Sequence, residues 1–188
     1  MKLLILDNYD SFTYNLVHLV KELGYSPEVF RNDKISLEAV AGYDKILLSP
    51  GPGIPVEAGI MMDLIKQYAP SKSIFGVCLG HQGIGESFGA ALQNMPLVYH
   101  GITTETLVQA PDEVIFKGMP ERFISCRYHS WTVSPKDLPS CLKVTALNAE
   151  GRIMALAHTT YDVRGVQFHP ESFLTEHGAV MLKNWLSH

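Results

Sequence analysis

Ser73-Ile74-Phe75-Gly76-Val77-Cys78-Leu79-Gly80-His81-Gln82 begins as an apolar run and turns, at a cysteine between two glycines, into helix-forming residues. A buried strand that ends in a tight turn and a helix has this shape, and open α/β sheets place their sites at the carboxyl ends of such strands. Glycine on either side permits a turn too tight for side chains, so the thiol projects into a cleft. The unpaired N–H groups of the following helix terminus favour the thiolate, which is the nucleophilic form. The alternative for any cysteine is a small buried hydrophobe, and Cys126 and Cys141, which lack such flanks, are read that way.

Working outward, residues 3–6 read as a buried strand, and Phe12, Leu16, Leu19, Val20 and Leu23 recur at helical spacing until Gly24. Residues 27–31 and 45–49 read as the next strands. Pro55 opens a second helix with Ile60, Leu64, Ile65 and Tyr68 on one face, ahead of the strand over 73–77. This alternation predicts one α/β domain over residues 1–188, with a mainly parallel open sheet covered by helices on both faces. Gly83, Gly85 and Gly89 in the helix after Cys78 each cost ~1 kcal/mol relative to alanine in a helix interior. Close approach of that helix to the sheet or to substrate would offset the cost; an irregular segment is the alternative. From Leu97 to Ala157 the pattern changes to strands over 123–128, 143–147 and 153–157 between Pro- and Gly-marked turns, a smaller antiparallel or mixed part of the sheet. Thr175 starts a last helix containing Met181, Leu182 and Trp185.

The 188 residues suit one domain, and 46% hydrophobic against 18% charged content argues for a large compact core. A net charge of -4, a pI near 6.0 and no basic run speak against a nucleic-acid partner. Residues 1–7 hold an apolar stretch too short for a signal peptide and no run approaches ~18 apolar residues, so no membrane association is expected. Three cysteines without a paired framework suit a reducing cytoplasm. The histidines show no HExxH or Cys-x-x-Cys spacing, so no metal site is expected.

A second buried strand, Gly165-Val166-Gln167-Phe168, runs into His169-Pro170-Glu171. In an extended segment residues i and i+2 point the same way, and Pro170 biases His169 away from helix. Imidazole and carboxylate are thus presented side by side, as a base that moves the nucleophile's proton and an acid that orients the base. Ser49-Pro50-Gly51-Pro52-Gly53 lies just past a strand at the same sheet edge. Its prolines cannot donate, which leaves glycine amides as donors. As a bare pattern the same stretch is a rigid turn.

These blocks, together with Asn8-Tyr9-Asp10-Ser11-Phe12-Thr13-Tyr14-Asn15, Tyr128-His129-Ser130 and Val166-Gln167-Phe168-His169-Pro170-Glu171-Ser172, occur in one order from near the start of the chain to near its end. In that combination the chain resembles the class I, triad-type glutamine amidotransferases, in particular the glutaminase subunits of anthranilate synthase and aminodeoxychorismate synthase. The resemblance implies that Cys78 attacks the carboxamide of L-glutamine, His169 protonates the departing ammonia and then activates water, and Glu171 orients His169. It implies an oxyanion hole from the N–H groups of Gly51 and Leu79, donors that typically contribute ~3 kcal/mol each. It also implies that Gln82 and the Ser130-Trp131 backbone grip glutamine in a pocket lined by Gly51, Pro52 and Gly53. Relatives most often carry leucine where this chain has Trp131, a departure that main-chain contact tolerates. His129 is read as a structural partner.

No cofactor is implied. Ammonia would pass to a larger chorismate-binding synthase subunit, met through Asn8, Tyr9, Asp10, Ser11, Phe12 and Thr13. Phe12 also starts the apolar helix face, and Ser11 or Asp10 can cap it. The anthranilate and aminodeoxychorismate pathways are nearly degenerate from this side, with the anthranilate reading preferred, and one subunit can serve both. A free-standing γ-glutamyl hydrolase would use the same triad without needing residues 8–15 as a partner surface. An inactive interaction subunit would need none of the three reactive groups.

Overall fold

The computed structural model describes residues 1–96 and 99–188, so Leu97, at which the change of pattern is placed, lies outside the described residues. The elements are Leu3–Asp7 (β1), Thr13–Glu22 (α1), Glu28–Arg31 (β2), Lys45–Leu48 (β3), Met61–Tyr68 (α2), Ser73–Val77 (β4), Leu79–Ser87 (α3) and Leu92–Asn94 (β5). They continue with Ile102–Val108 (β6), Arg122–Arg127 (β7), Trp131–Val133 (β8), Leu142–Asn148 (β9), Ile153–His158 (β10), Val163–Val166 (β11) and Gly178–Leu186 (α4).

Nine strands form one sheet in the order β2-β1-β3-β4-β11-β10-β9-β6-β7, and β5 pairs with β8 in a separate ribbon. From β2 to β11 neighbours are parallel; from β11 through β10, β9, β6 and β7 they are antiparallel. The expected parallel half and antiparallel part are therefore joined at β11.

Period-two alternation along the parallel strands explains why both faces are covered. Leu3 and Ile5 point to the face packed by Leu16, Val17 and Val20 of α1 and Met181, Leu182 and Trp185 of α4. Leu4 and Leu6 point to the other face, with Leu64 and Ile65 of α2 and Ile84 of α3. Gly24, at φ +90, ends the first helix where its periodic residues stop.

Two boundaries differ from the sequence reading. Pro55–Glu57 is a single 3-10 turn, and the helix proper begins only at Met61. Gly59 lies between them with φ +53, and a Cβ there would sit 2.5 Å from the Asn32 carbonyl oxygen, so the chain turns instead of continuing as helix. The last helix begins at Gly178, not Thr175. The Thr175 hydroxyl donates to the His169 carbonyl (2.7 Å) and accepts from the Cys126 N–H (3.0 Å), which ties the loop after β11 to β7.

The glycines after Cys78 are explained by close approach. A Cβ on Gly83 would lie 2.8 Å from the Met61 side chain, and one on Gly85 2.8 Å from that of Val133. Gly89 lies beyond the helix, at φ +96, and serves as its stop. Among the described residues no helix is long and apolar enough to cross a membrane.

Candidate active site

β4 and β11 are parallel neighbours, in register at Gly76 with Gly165 and Val77 with Val166. Their carboxyl ends therefore deliver Cys78 and His169 to one place, and the Cys78 N–H donates to the Val166 carbonyl (2.9 Å). Cys78 has φ 53 and ψ -98, outside the ordinary regions for a side-chain-bearing residue, directly before the first residue of α3. The turn closes because its flanks are glycine. A Cβ on Gly76 would sit 2.5 Å from the Gly80 carbonyl carbon, and one on Gly80 2.6 Å from the Leu48 carbonyl oxygen.

His169 Nδ1 donates to Glu171 Oε1 at 2.7 Å, and both side chains are withdrawn from solvent. A carboxylate can only accept, so this bond sets the tautomer and leaves Nε2 free to exchange a proton. Nε2 has no hydrogen-bond partner among the described residues. Burial disfavours the imidazolium, but Cys78 and Glu171 outweigh it and hold His169 well above the usual histidine range.

A cavity of about 200 Å³ opens beside Cys78, lined by Gly51, Pro52, Gly53, Gln82, Ser130 and Trp131, all expected, together with Tyr99, His100, Tyr128 and His129. Gly51 is irreplaceable sterically: its Cβ would sit 2.6 Å from the Leu79 side chain and 2.7 Å from Asn8 Cβ. Leu79 is the first residue of α3, where a backbone N–H has no intrahelical acceptor.

The Trp131 carbonyl is already occupied, accepting from Gln82 Nε2 (2.8 Å) and His129 Nδ1 (2.7 Å). The Ser130 carbonyl accepts from the Met95 N–H at 2.8 Å. The Trp131 carbonyl and the Gln82 amide nitrogen are thus both engaged within the protein. His129 is structural, as read from sequence. Tyr99 and His100 carry no pattern that marks them, because they reach the cavity only through the connection before β6.

A second cavity, of about 450 Å³, also reaches Cys78 and is lined by Tyr9, Asp10, Ser11, Phe12, Pro50, Tyr128 and His169 among others. Tyr9 and Ser11 are exposed, and Asp10 and Phe12 partly so. Asn8 and Thr13, expected on the same partner surface, are buried and offer none. Asn8 instead pins the glycine loop, its N–H donating to Ser49 Oγ and its Nδ2 to the Ser49 carbonyl, both at 2.8 Å. The Thr13 hydroxyl donates to Asp7 Oδ1 at 2.9 Å. Neither Ser11 nor Asp10 caps α1, whose N-cap residue is Phe12 without a side-chain cap bond; the Asp10 carboxylate accepts the Phe12 N–H instead (2.8 Å).

A family model described as Glutamine amidotransferase class-I matches residues 4–188. The chain belongs to the class I glutamine amidotransferase family. It is 47% identical over its whole length to anthranilate synthase component 2 of Mycobacterium tuberculosis, covering 82% of that protein. It is 45% identical to the aminodeoxychorismate/anthranilate synthase component 2 of Bacillus subtilis, over 98% of this chain and 95% of that one. To aminodeoxychorismate synthase component 2 of Klebsiella aerogenes the identity is 43%, over 98% and 99% of the two chains. Among solved structures, a putative GMP synthase subunit from Thermoplasma acidophilum superposes with a TM-score of 0.88 at 26% identity, covering all of this chain and 92% of that one.

Two histidines beside the site predict acid sensitivity. Burial lowers His81 to about 4, and burial together with Arg127 lowers His129 to about 3. Both stay neutral in the fold while the unfolded chain protonates below about 6.5. Their contribution is complete above about pH 6.5 and is lost as pH falls towards 4 and 3. His169, shifted the other way, keeps its contribution on acidification and loses it as pH rises through its folded value. At about 1.4 kcal/mol per unit, the two neutral histidines should remove a few kcal/mol of stability between pH 7 and 4.5. Urea midpoints at the two pH values check this, and His129→Asn should lose less on acidification than the wild type.

Proposed function

We propose that this chain is the glutaminase subunit of a chorismate-aminating synthase, with Cys78, His169 and Glu171 as its triad. The observation that carries the reading is a thiol and a carboxylate-oriented imidazole on adjoining strand ends, beside a cavity edged by backbone amides. Cys78 Sγ bonds to the side-chain carbonyl carbon of L-glutamine, and the Gly51 and Leu79 N–H groups hold the oxyanion. The C–N bond then breaks as His169 Nε2 gives its proton to the leaving nitrogen, which departs as ammonia. Water, deprotonated by the same nitrogen, opens the γ-glutamyl thioester and releases glutamate. Gln82, Ser130 and Trp131 hold the substrate, with Gly51, Pro52 and Gly53 lining its cavity. No cofactor or metal enters these steps.

Ammonia leaves through the second cavity towards a larger chorismate-binding subunit, with Tyr9, Asp10, Ser11 and Phe12 on the contact. No nucleic acid or membrane takes part, and the site of action is the cytoplasm. The anthranilate reading is preferred; relatives named for both pathways make a shared subunit the second reading. Glutaminase assays alone and with each purified large subunit separate these readings from a free-standing hydrolase and from an inactive module.

Tyr9 is suited to a contact, being 47% exposed and held at φ 64 with its hydroxyl on Asp33 (2.6 Å). Replacing Tyr9 and Asp10 together by alanine should leave a folded chain with a reactive Cys78 and weaken large-subunit binding and partner-stimulated glutaminase about tenfold or more. Unchanged affinity and stimulation on titration would disprove the contact.

A further inference from the structure

We propose that Gln167 is a catalytic residue that donates a hydrogen bond to the Cys78 sulfur, and that a chain of bonds starting at the Trp131 carbonyl fixes the direction of that bond. Gln167 lies just past β11, wholly buried, with Nε2 3.6 Å from Cys78 Sγ. At that distance an amide nitrogen donates to a thiolate, whereas an amide oxygen would repel it. The sign of the effect on Cys78 therefore depends on which way the Gln167 amide faces.

The chain of bonds behind Gln167 decides that orientation. A guanidinium has donors only, so Arg127 Nε, 3.0 Å from His129 Nε2, must donate, and the single proton of the neutral ring then sits on Nδ1. Nδ1 donates to the Trp131 carbonyl (2.7 Å), and because a carbonyl oxygen only accepts, the Gln82 group 2.8 Å from it must be its NH₂. The Gln82 nitrogen also reaches Gln167 Oε1 at 3.2 Å. With its oxygen committed to Gln82, Gln167 turns its nitrogen to the sulfur. Flipping either amide would set donor against donor or acceptor against acceptor inside the core, where nothing else can satisfy them.

Arg127 is fully buried, and among the described residues its Nη1 and Nη2 have no hydrogen-bond partner. The guanidinium packs 3.9 Å from the centroid of Tyr99, a wall of the substrate cavity. Burial and the Arg127 charge together keep His129 neutral, and the Arg127 donor holds it in one tautomer. Of these residues Gln167 touches the reacting atom. The catalytic consequence rests on the reading of Cys78 as the glutaminase nucleophile.

Alkylation of Cys78 by iodoacetamide as a function of pH, resolved by mass mapping, tests the bond without glutamine or a partner. Gln167→Leu should slow alkylation at pH 7 about tenfold and move the midpoint of its pH profile up by about one unit. Gln167→Glu, which puts an acceptor in the same place, should move it at least as far. A purely structural role would lower the unfolding temperature and leave the midpoint in place, and an unmoved midpoint in folded Gln167→Leu or Gln167→Glu overturns the proposal. In the wild type, the Gln167 side-chain N–H resonance should shift as Cys78 ionises; a resonance unmoved through that titration overturns it whether or not the variants fold. Should the shifts appear while glutamine is not hydrolysed even with a large subunit, the hydrogen bond stands and the glutaminase reading falls.

Discussion

Cys78→Ala is expected to abolish glutamine-dependent synthesis by the two-subunit enzyme, by more than about a thousandfold, and to leave ammonia-dependent synthesis intact. In the proposed mechanism only a thiolate at this turn forms the acyl intermediate, and the residue is placed by glycines that tolerate no Cβ, so no neighbour can substitute for it. Alanine can adopt the same backbone angles at no greater strain than cysteine, so the variant should fold and bind its partner. A chloroketone analogue of glutamine separates reactivity from access. Cys78 is only 5% exposed and Cys126 not at all, while Cys141 is the most accessible of the three free thiols. Labelling governed by exposure would favour Cys141; labelling governed by the site should mark Cys78 first. Substantial glutaminase turnover by Cys78→Ala, or a label mapped chiefly to Cys141, would remove Cys78 as the nucleophile.

His169→Ala and Glu171→Ala should be unequal. Loss of the imidazole removes the proton donor for ammonia and the base for thioester hydrolysis, an effect of about a thousandfold or more on kcat. Loss of the carboxylate leaves thiol and base in place and removes the 2.7 Å bond that sets the tautomer, with part of the support for the imidazolium. A smaller fall, of about ten- to a hundredfold, is expected, with the alkaline side of the pH–rate profile moved to lower pH because the raised imidazolium loses one of its two supports. Wild-type activity in Glu171→Ala would remove that residue from the triad.

The meeting of Cys78 with the His169–Glu171 pair and the parallel half of the sheet were legible because their signals are local. Cys78 is marked by the residues beside it, and His169 and Glu171 are two positions apart in an extended stretch. The continuous apolar run of β1 marks a strand buried on both faces, and the helical spacing of Leu16 and Val20 names the face that α1 buries. The boundary errors arose where a tertiary bond overrode a local signal. Pro55 is a good helix starter, yet Gly59 packs against the Asn32 carbonyl and delays the helix to Met61; Thr175 is a good helix cap, yet its hydroxyl is spent on the His169 carbonyl.

From sequence alone came the α/β class, the strand-turn-helix placement of the thiol and the chemistry that thiol, imidazole and carboxylate can perform, since each depends on residues a few positions apart. Folding decided which distant groups meet. Gln167 and Cys78, 89 positions apart, come into contact only because β11 inserts beside β4. The burial of Asn8 and Thr13, the arrival of Tyr99 and His100 at the cavity, and the polarity of the bonds from the Trp131 carbonyl to the sulfur have the same origin. Hydrophobic periodicity specifies which face of an element turns inward, whereas hydrogen bonds between elements depend on strand order and register, which no single segment encodes.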